Sequence, residues 1–413
     1  MREHHLRRQI IDEMHLRRWP ALECPMVIWQ MVRTLEDGER DPERRALEEG
    51  RAAIAPLQRH VSGTLAPGVD FAWERHTEGS SITLFAGRHA NPQAVEDALA
   101  WIKDLPGLVV RATRITVVSD EADAAEKLAS ADFSAPEAVS FRTAEGMRVW
   151  SDFRLHADGF GELLVAGGGV DPFTLSRRIQ QIQELGNYRN MALLGLPAVR
   201  EQWAALDAIE ERLRQFASAV SDPATKDDDL LEDVSALSLE LATLNNAIGY
   251  RLDATKAYSS LVAERLADID PIAVAEYQSL PDFTRRRFLP AERTCASHGA
   301  RLDKLTGRAA DLTALLRARI ETRIENQNAQ LLASMERRAL EQLRLQQVVE
   351  GLTVVAIAYY GVGLVGYAAK ALAKVIPGLE VDLVVGISIP FVLAAIWFGM
   401  RTARRLLLAG QHD

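Results

Sequence analysis

Cysteine is scarce in this chain: Cys24 and Cys295 are the only two among 413 residues. They lie far apart and in no spacing typical of a metal site or redox motif, which excludes a disulfide framework and favours a reducing compartment. Basic residues are not in excess either: the chain has 48 Lys and Arg and 57 Asp and Glu, which gives a formal net charge of -9. That balance predicts no nucleic-acid partner. Residues 1–18 lack the apolar core of a signal peptide, so we expect the soluble part to stay inside the cell.

Charged residues are absent from two apolar runs near the C-terminus, 351–369 and 383–400. Each run is near the length that crosses about 30 Å of hydrocarbon, which predicts a transmembrane helix. The alternative is a pair of buried core helices, but two adjacent uncharged runs of this length are rare in soluble folds. Pro377 and Gly378 lie between the runs and predict a tight turn, so we expect a helical hairpin in the lipid bilayer.

Arginine flanks the hairpin on both sides. The basic residues that precede the first run and follow the second are Arg337, Arg338, Arg344, Arg401, Arg404 and Arg405. Because cytoplasmic flanks carry the excess of Lys and Arg, both termini are expected on the cytoplasmic side of a bacterial inner membrane.

Small and hydroxyl-bearing residues mark the first apolar run. Gly361, Gly363 and Gly366 form a candidate helix-packing face, since small residues let helices approach closely in lipid. Tyr359 and Tyr360 lie near mid-span, where a hydroxyl needs a hydrogen-bond partner. Two alternatives remain for these tyrosines, a bond to a neighbouring helix or a place in the lining of a pore.

Two acidic groups are candidates for attracting or holding cations. Glu380 and Asp382, in the loop between the spans, are predicted to concentrate cations at the mouth of the hairpin. Asp227, Asp228 and Asp229 offer carboxylates to a hard divalent cation, so a divalent cation is the only cofactor left open. The favoured alternative is that these aspartates begin a helix, where negative charge suits the positive end of the helix dipole.

The part before the hairpin changes pattern at the triple glycine 167–169. Alternating apolar residues from 69 onward predict strands, a helix is expected over 91–105, and another strand pattern covers 147–155. Beyond the glycines, Asp171 and then Pro172 predict a helix start, and the chain becomes almost wholly helical. The glycines are expected to form a flexible link between subdomains.

No catalytic constellation is found in the sequence, so we expect no enzyme. Strand alternation would place Glu74 and His76 on one face, as an acid/base pair or, more in keeping with such residues, as a surface charge network.

A long helix is predicted ahead of the first apolar run. If residues 291–369 form one helix, it is about 120 Å long at 1.5 Å per residue. A stripe typical of a coiled coil runs along Leu302, Leu305, Ala309, Leu312, Leu316, Ile320 and Ile324. This stripe would be covered by further copies of the chain, as a homo-oligomer, or by shorter helices of the same chain.

The expected fold class is therefore α+β, with long helices and a C-terminal two-helix transmembrane hairpin. The expected order is an α/β cytoplasmic domain at 1–168, a helical subdomain at 169–290, a stalk helix at 291–350, the hairpin at 351–400 and a cytoplasmic tail at 401–413.

Three segments resemble a bacterial family of uncharacterised membrane-anchored proteins with a domain of unknown function. They are LRRQIIDEMHLRRWPALECP at 6–25, WERHTEGSS at 73–81, and NQNAQLLASMERRALEQLRLQQVVEGLTVVAIAYYGVGLVGY at 326–367. The resemblance covers nearly the whole chain and implies no established activity.

The predicted architecture is also similar to the CorA class of divalent-cation channels. That class has a Gly-Met-Asn motif after its first span, whereas here Tyr360 and Gly361 are followed by Val362 and Gly363 within the span. The similarity implies an oligomeric ion channel or transporter without that motif. The alternative function is a membrane-anchored scaffold or interaction protein that transports nothing.

Overall fold

The computed structural model describes residues 3–7, 10–11, 19–36, 38–49, 58–130, 138–374, 376 and 380–409. The chain divides into two compact units, Met1–Ala314 and Leu315–Asp413. An α+β region comes first, and long helices and two apolar C-terminal helices follow, so the predicted fold class is confirmed at this level. The predicted boundaries at 168 and 290 stay predictions.

Nine strands form one sheet in the described part of the first unit. They are β1 Met26–Thr34, β2 His60–Ala66, β3 Val69–Arg75, β4 Gly79–Gly87, β5 Leu108–Val118, β6 Val139–Arg142, β7 Arg148–Ser151, β8 Gly161–Ala166 and β9 Ile272–Ala273. Their order is β2-β3-β4-β1-β5-β8-β7-β6-β9. β5 and β8 run parallel, and the other named strand pairs run antiparallel.

Nine helices have both of their ends among the described residues. They are α1 Arg40–Glu49, α2 Pro92–Lys103, α3 Glu121–Ser130, α4 Pro172–Leu193, α5 Gly195–Ala219, α6 Asp227–Ile269, α7 Leu280–Arg287, α8 Leu289–Leu372 and α9 Val381–Ala409.

Helices cover both faces of the sheet. On one face, Met31, Trp73 and Leu84 pack in a buried cluster with Ile102 of α2 and Leu47 of α1. On the other face, a second cluster joins the sheet to α4 and α6 and includes Ile28, Phe85, Ile115, Ile179 and Val262. Each large apolar side chain buried in this way contributes about 1.5–3 kcal/mol, so the three-layer arrangement holds the sheet in place.

The central strand β1 has no counterpart in the sequence prediction. Its sequence MVIWQMVRT is apolar at most positions, and both of its faces are largely buried. A strand buried on both faces lacks the apolar-polar alternation by which half-buried strands are recognised.

Capping residues fix two of the predicted helix starts. The side chain of Asn91 accepts a hydrogen bond from the backbone N–H of Gln93 at the start of α2. Asp171 accepts from the N–H groups of Phe173 and Thr174 at the start of α4. Pro follows the cap in both helices, and both predicted starts are confirmed.

The structure differs from the prediction at two points in the first unit. The triple glycine forms a hydrogen-bonded turn where a flexible link was predicted, because Gly167 and Gly168 donate to the carbonyls of Val118 and Ser119. Gly168 has a φ of +63°, and a Cβ there would lie 2.8 Å from the Gly146 carbonyl oxygen. The strand predicted over 147–155 ends at Ser151.

The first apolar run belongs to one continuous helix, as predicted. α8 has 84 residues from Leu289 to Leu372, and Leu302, Leu305, Ala309 and Leu312 are buried within the first unit. Residues 375 and 377–379, which include the predicted Pro377-Gly378 turn, lie outside the described residues.

Candidate functional site

Two of the three predicted packing glycines lie at the contact between α8 and α9. A Cβ on Gly361 would be 2.9 Å from Cγ1 of Val392, and one on Gly366 would be 3.4 Å from Cγ2 of Val385. A Cβ on Gly363 would meet no atom within 4 Å. Gly361 and Gly366 therefore allow the two helices to approach, as small residues do in lipid, while Gly363 turns away from α9.

Both predicted tyrosines are exposed on the single chain. The rings of Tyr359 and Tyr360 contact each other edge to face, with centroids 5.8 Å apart. Among the described residues, neither hydroxyl takes part in a hydrogen bond with α9. Their assignment to helix packing or to a pore stays a prediction.

The exposed side of α8 continues beyond these residues. Ala358 and Ala369 are buried, whereas Tyr360 and Tyr367 are 71% and 76% exposed. At 3.6 residues per turn, Tyr360 and Tyr367 lie two turns apart on the side opposite Ala358. Gly363 falls between the two tyrosines. We call the side that bears Tyr360, Gly363 and Tyr367 the tyrosine face.

Apolar residues extend the tyrosine face toward the N-terminal part of the second unit. Leu331, Met335, Leu345 and Val349 are exposed. Val349 lies eleven residues before Tyr360, which is close to three turns of helix. The same side of α8 therefore carries exposed leucine, methionine and valine before the apolar run and tyrosine within it.

The acidic candidates lie at helix starts. Glu380 and Asp382 are exposed, and Asp382 is in the first turn of α9. Asp227, Asp228 and Asp229 form the first turn of α6, which is the helix start that the sequence favoured. Within the described ranges, no three His, Cys, Asp or Glu side chains come together in a group able to hold a metal ion.

A polar cavity of about 250 Å³ lies in the first unit, between the sheet and helices α4 and α6. Glu74 and His76 both line it, so the structure brings the predicted pair to one face. Nε2 of His76 is 3.1 Å from the hydroxyl of Ser81. His60, opposite Glu74 in the β2–β3 register, lines the same cavity.

Helix residues complete this cavity and were missed from the sequence. Glu184 and Tyr188 come from α4 and Tyr258 from α6. Glu184 binds Arg265 at 2.7 Å, and the Tyr188 and Tyr258 rings stack with centroids 6.1 Å apart. The i,i+4 spacing of Glu184 and Tyr188 places them on one helix face, which is the signal that could have found them.

Burial sets the protonation of these groups. It raises the pKa of the Glu184 carboxyl, against the opposing effect of the Arg265 charge. It also raises the pKa of Tyr258 to about 12, so this phenol stays protonated well above neutral pH. The cavity can therefore donate and accept hydrogen bonds, while the acid/base role of Glu74 and His76 stays a prediction.

The comparisons with protein families and with curated sequences bear on the identity of the chain. No curated protein sequence matches the chain. The model of a family described as "Protein of unknown function (DUF3422)" matches residues 2–407. This match does not confirm the similarity to CorA-type channels. It does confirm the prediction of an uncharacterised family, and because it covers nearly the whole sequence, the chain belongs to the DUF3422 family.

Proposed function

We propose that the chain is an integral protein of the bacterial inner membrane that forms an oligomer and conducts ions, with divalent cations as the first candidates. The observation that carries the proposal is the tyrosine face. α8 and α9 each have a stretch long and apolar enough to cross a membrane by length and composition. The face of α8 opposite α9 nevertheless carries the hydroxyls of Tyr360 and Tyr367.

The cost of exposing this face to lipid supports an assembly. A hydroxyl moved into an apolar medium without a hydrogen-bond partner costs about 1–3 kcal/mol by protein mutational data. Another copy of α8, or water in a shared pore, removes that cost. Gly363 allows a neighbouring helix to approach closely. The exposed leucines that continue the face before the apolar run need the same cover, and a second copy of the chain is the occupant we propose.

Selectivity in such a pore comes from neutral groups. The described apolar stretches of α8 and α9 contain no charged side chain between 351–369 and 383–400. Backbone carbonyls and the hydroxyls of Tyr359 and Tyr360 then replace the hydration of the ion. Glu380 and Asp382 raise the local cation concentration at the mouth.

Flux into liposomes tests conduction. The full chain is reconstituted in vesicles that contain a Mg²⁺-sensitive dye, and uptake is followed under several divalent-cation gradients. We expect flux above empty vesicles, reduced when Tyr359→Phe and Tyr360→Phe are combined. Tyr250→Phe, at an exposed tyrosine of α6, is the matched control and should leave flux unchanged.

Disulfide cross-linking tests the assembly separately. Tyr360 and Phe391 are both 71% exposed, and they neighbour Gly361 and Val392, which face each other across the hairpin. In a chain without its native cysteines, Tyr360→Cys should cross-link copies in the membrane and Phe391→Cys should not. Equal cross-linking at both positions would refute the tyrosine face as the interface.

Membrane orientation is tested by reporter fusions after residue 413 and within 370–382. We expect opposite sides, with the C-terminal reporter in the cytoplasm, because arginine flanks the hairpin. Cross-linking through Tyr360→Cys without flux under any gradient would favour the alternative function, a membrane-anchored scaffold that assembles and transports nothing.

A further inference from the structure

Two arginines of the first unit point their guanidinium groups into the region between β5 and α4. Arg111 belongs to β5 and Arg189 to α4, and each is partly buried. Both line a groove of about 420 Å³, and both also line a water-sized void of about 20 Å³. The inference drawn from them is independent of the proposed transport function.

Neutral oxygens surround the first of these arginines. Nη1 of Arg111 donates to Oε1 of Gln183 at 2.6 Å and to Oδ1 of Asn187 at 2.7 Å. Oε1 of Gln30 lies 3.5 Å from the same nitrogen. These amides orient the guanidinium, but they carry no negative charge to balance it.

Aromatic rings hold the second arginine, Arg189. The Cζ atom of Arg189 lies 4.5 Å from the centroid of Phe153 and 5.4 Å from that of Phe283. The two rings stack on each other with centroids 4.3 Å apart. Phe153 has a φ of +50°, a left-handed conformation that costs free energy in a bulky residue and often accompanies function.

Neither arginine has an anionic partner in the part of the chain that the structure describes. The ion pairs formed among the described residues include neither Arg111 nor Arg189. Glu162 also lines the groove, but it is paired with Arg114. Burial, together with the smaller effect of the nearby Arg189 charge, lowers the pKa of Arg111 to about 9.

Charges buried in proteins are normally paired, because removal from water without a counter-ion is costly. Here two like charges are placed close enough to disfavour each other, and rings and amides orient both. Such a pair of arginines is complementary to an anion, and no acidic side chain of the described residues takes that place. A guanidinium presents parallel N–H donors that match the oxygens of phosphate.

We propose that Arg111 and Arg189 bind the phosphate group of a phosphate monoester in this groove. The two positive charges match the charge of about -1.5 to -2 that such a group carries at pH 7. Val109 and Leu155 line the same groove and are exposed, which provides an apolar surface for the substituent on the phosphate. That substituent belongs to a soluble metabolite or to a lipid with a phosphate headgroup.

Binding to the full-length protein in detergent tests the proposal. Inorganic phosphate, phenyl phosphate and a short-chain soluble phosphatidic acid are titrated at constant ionic strength, with chloride as the reference anion, and followed by calorimetry. We expect saturable binding of phosphate and tighter binding of phenyl phosphate. Tighter binding still of phosphatidic acid would identify the lipid source, and the reverse order would identify the soluble one.

Variants of Arg189 test its part in the binding. Arg189→Gln should weaken phosphate binding by about tenfold or more, since it removes charge-assisted hydrogen bonds. Arg189→Lys should bind with intermediate affinity. Arg114→Gln is the matched control, because Arg114 lies on β5 with Arg111 but is paired with Asp158 and Glu162. It should bind phosphate as the native protein does.

A measurement on the native protein does not depend on whether the variants fold. Phosphate should protect Arg189 from modification by phenylglyoxal, read by mass spectrometry, and should leave Arg114 unprotected. The proposal fails if phosphate produces no saturable binding beyond chloride, or if Arg189 is modified at the same rate with and without phosphate.

Discussion

Gly186 of α4 allows the Arg111 guanidinium to lie against the helix. A Cβ at this position would be 2.7 Å from Cζ of Arg111, a distance at which one of the two must move. The guanidinium is held on either side by Gln183 and Asn187, one helical turn apart around the glycine. Gly186→Ala therefore forces Arg111 away from both amide oxygens.

Three contributions determine the change in the free energy of unfolding for Gly186→Ala, two of them destabilising and one stabilising. Overpacking in a well-packed region costs about 1–3 kcal/mol. Weakening two hydrogen bonds to a charged group adds about 1.5 kcal/mol or more. Alanine in place of glycine inside a helix stabilises the helix by about 1 kcal/mol. We expect the variant to be destabilised by about 1.5–3.5 kcal/mol.

A double-mutant cycle with Arg111→Ala isolates the contact. Without the guanidinium, the three atoms nearest to the new methyl group are gone, so Gly186→Ala should there stabilise the protein by about 0.5–1 kcal/mol. Urea unfolding of the detergent-solubilised chain, followed by tryptophan fluorescence, gives the four free energies. The reasoning is refuted if Gly186→Ala costs the same in both backgrounds.

Three further changes test other parts of the chain. Burial raises the pKa of Tyr258 from 10 to about 12. The stability that the buried phenol contributes is therefore full below about pH 10 and is lost as the pH rises through about 12. Tyr258→Phe should reduce this loss of stability in alkaline unfolding curves, and parallel curves for the variant and the native protein would contradict the argument. Gly361→Val places a Cβ 2.9 Å from Val392. It should destabilise the protein by about 1–3 kcal/mol through overpacking and so lower the thermal midpoint, and the further change Val392→Ala should largely restore that midpoint. Gly79→Ala places a Cβ 1.7 Å from the backbone oxygen of Arg33, where no side-chain movement relieves the clash, so purified yield should collapse; a normal yield and midpoint would show that the strands can shift.

Local signals predicted much of the fold. Asn91 and Asp171 identified two helix starts because a capping side chain acts within three residues of itself. The absence of charge over 351–369 and 383–400 identified the two apolar helices for a similar reason, since composition over one short window is sufficient.

Non-local packing accounts for what the sequence did not reveal. Nothing in the apolar run of β1 distinguishes a central strand from a buried helix segment, because partners on both sides decide it. Nor does the sequence indicate that Gly361 and Gly366 face α9 while Gly363 does not, since that depends on the rotation of one helix against another. The arginine pair was missed because Arg111 and Arg189 are 78 residues apart and meet only once α4 packs on the sheet.

The position of β1 inside the sheet, between β4 and β5, has a consequence during synthesis on the ribosome. This strand is the first of the nine described strands to be made, yet its neighbours β4 and β5 end only at Gly87 and Val118. At about 5–20 residues per second, β1 waits roughly 4–17 seconds for both of them. An apolar strand of nine residues without proline is prone to aggregate while unpaired. Rare codons between residues 35 and 118 should therefore lower the yield of folded protein, and co-expressed chaperones that hold nascent chains should restore it.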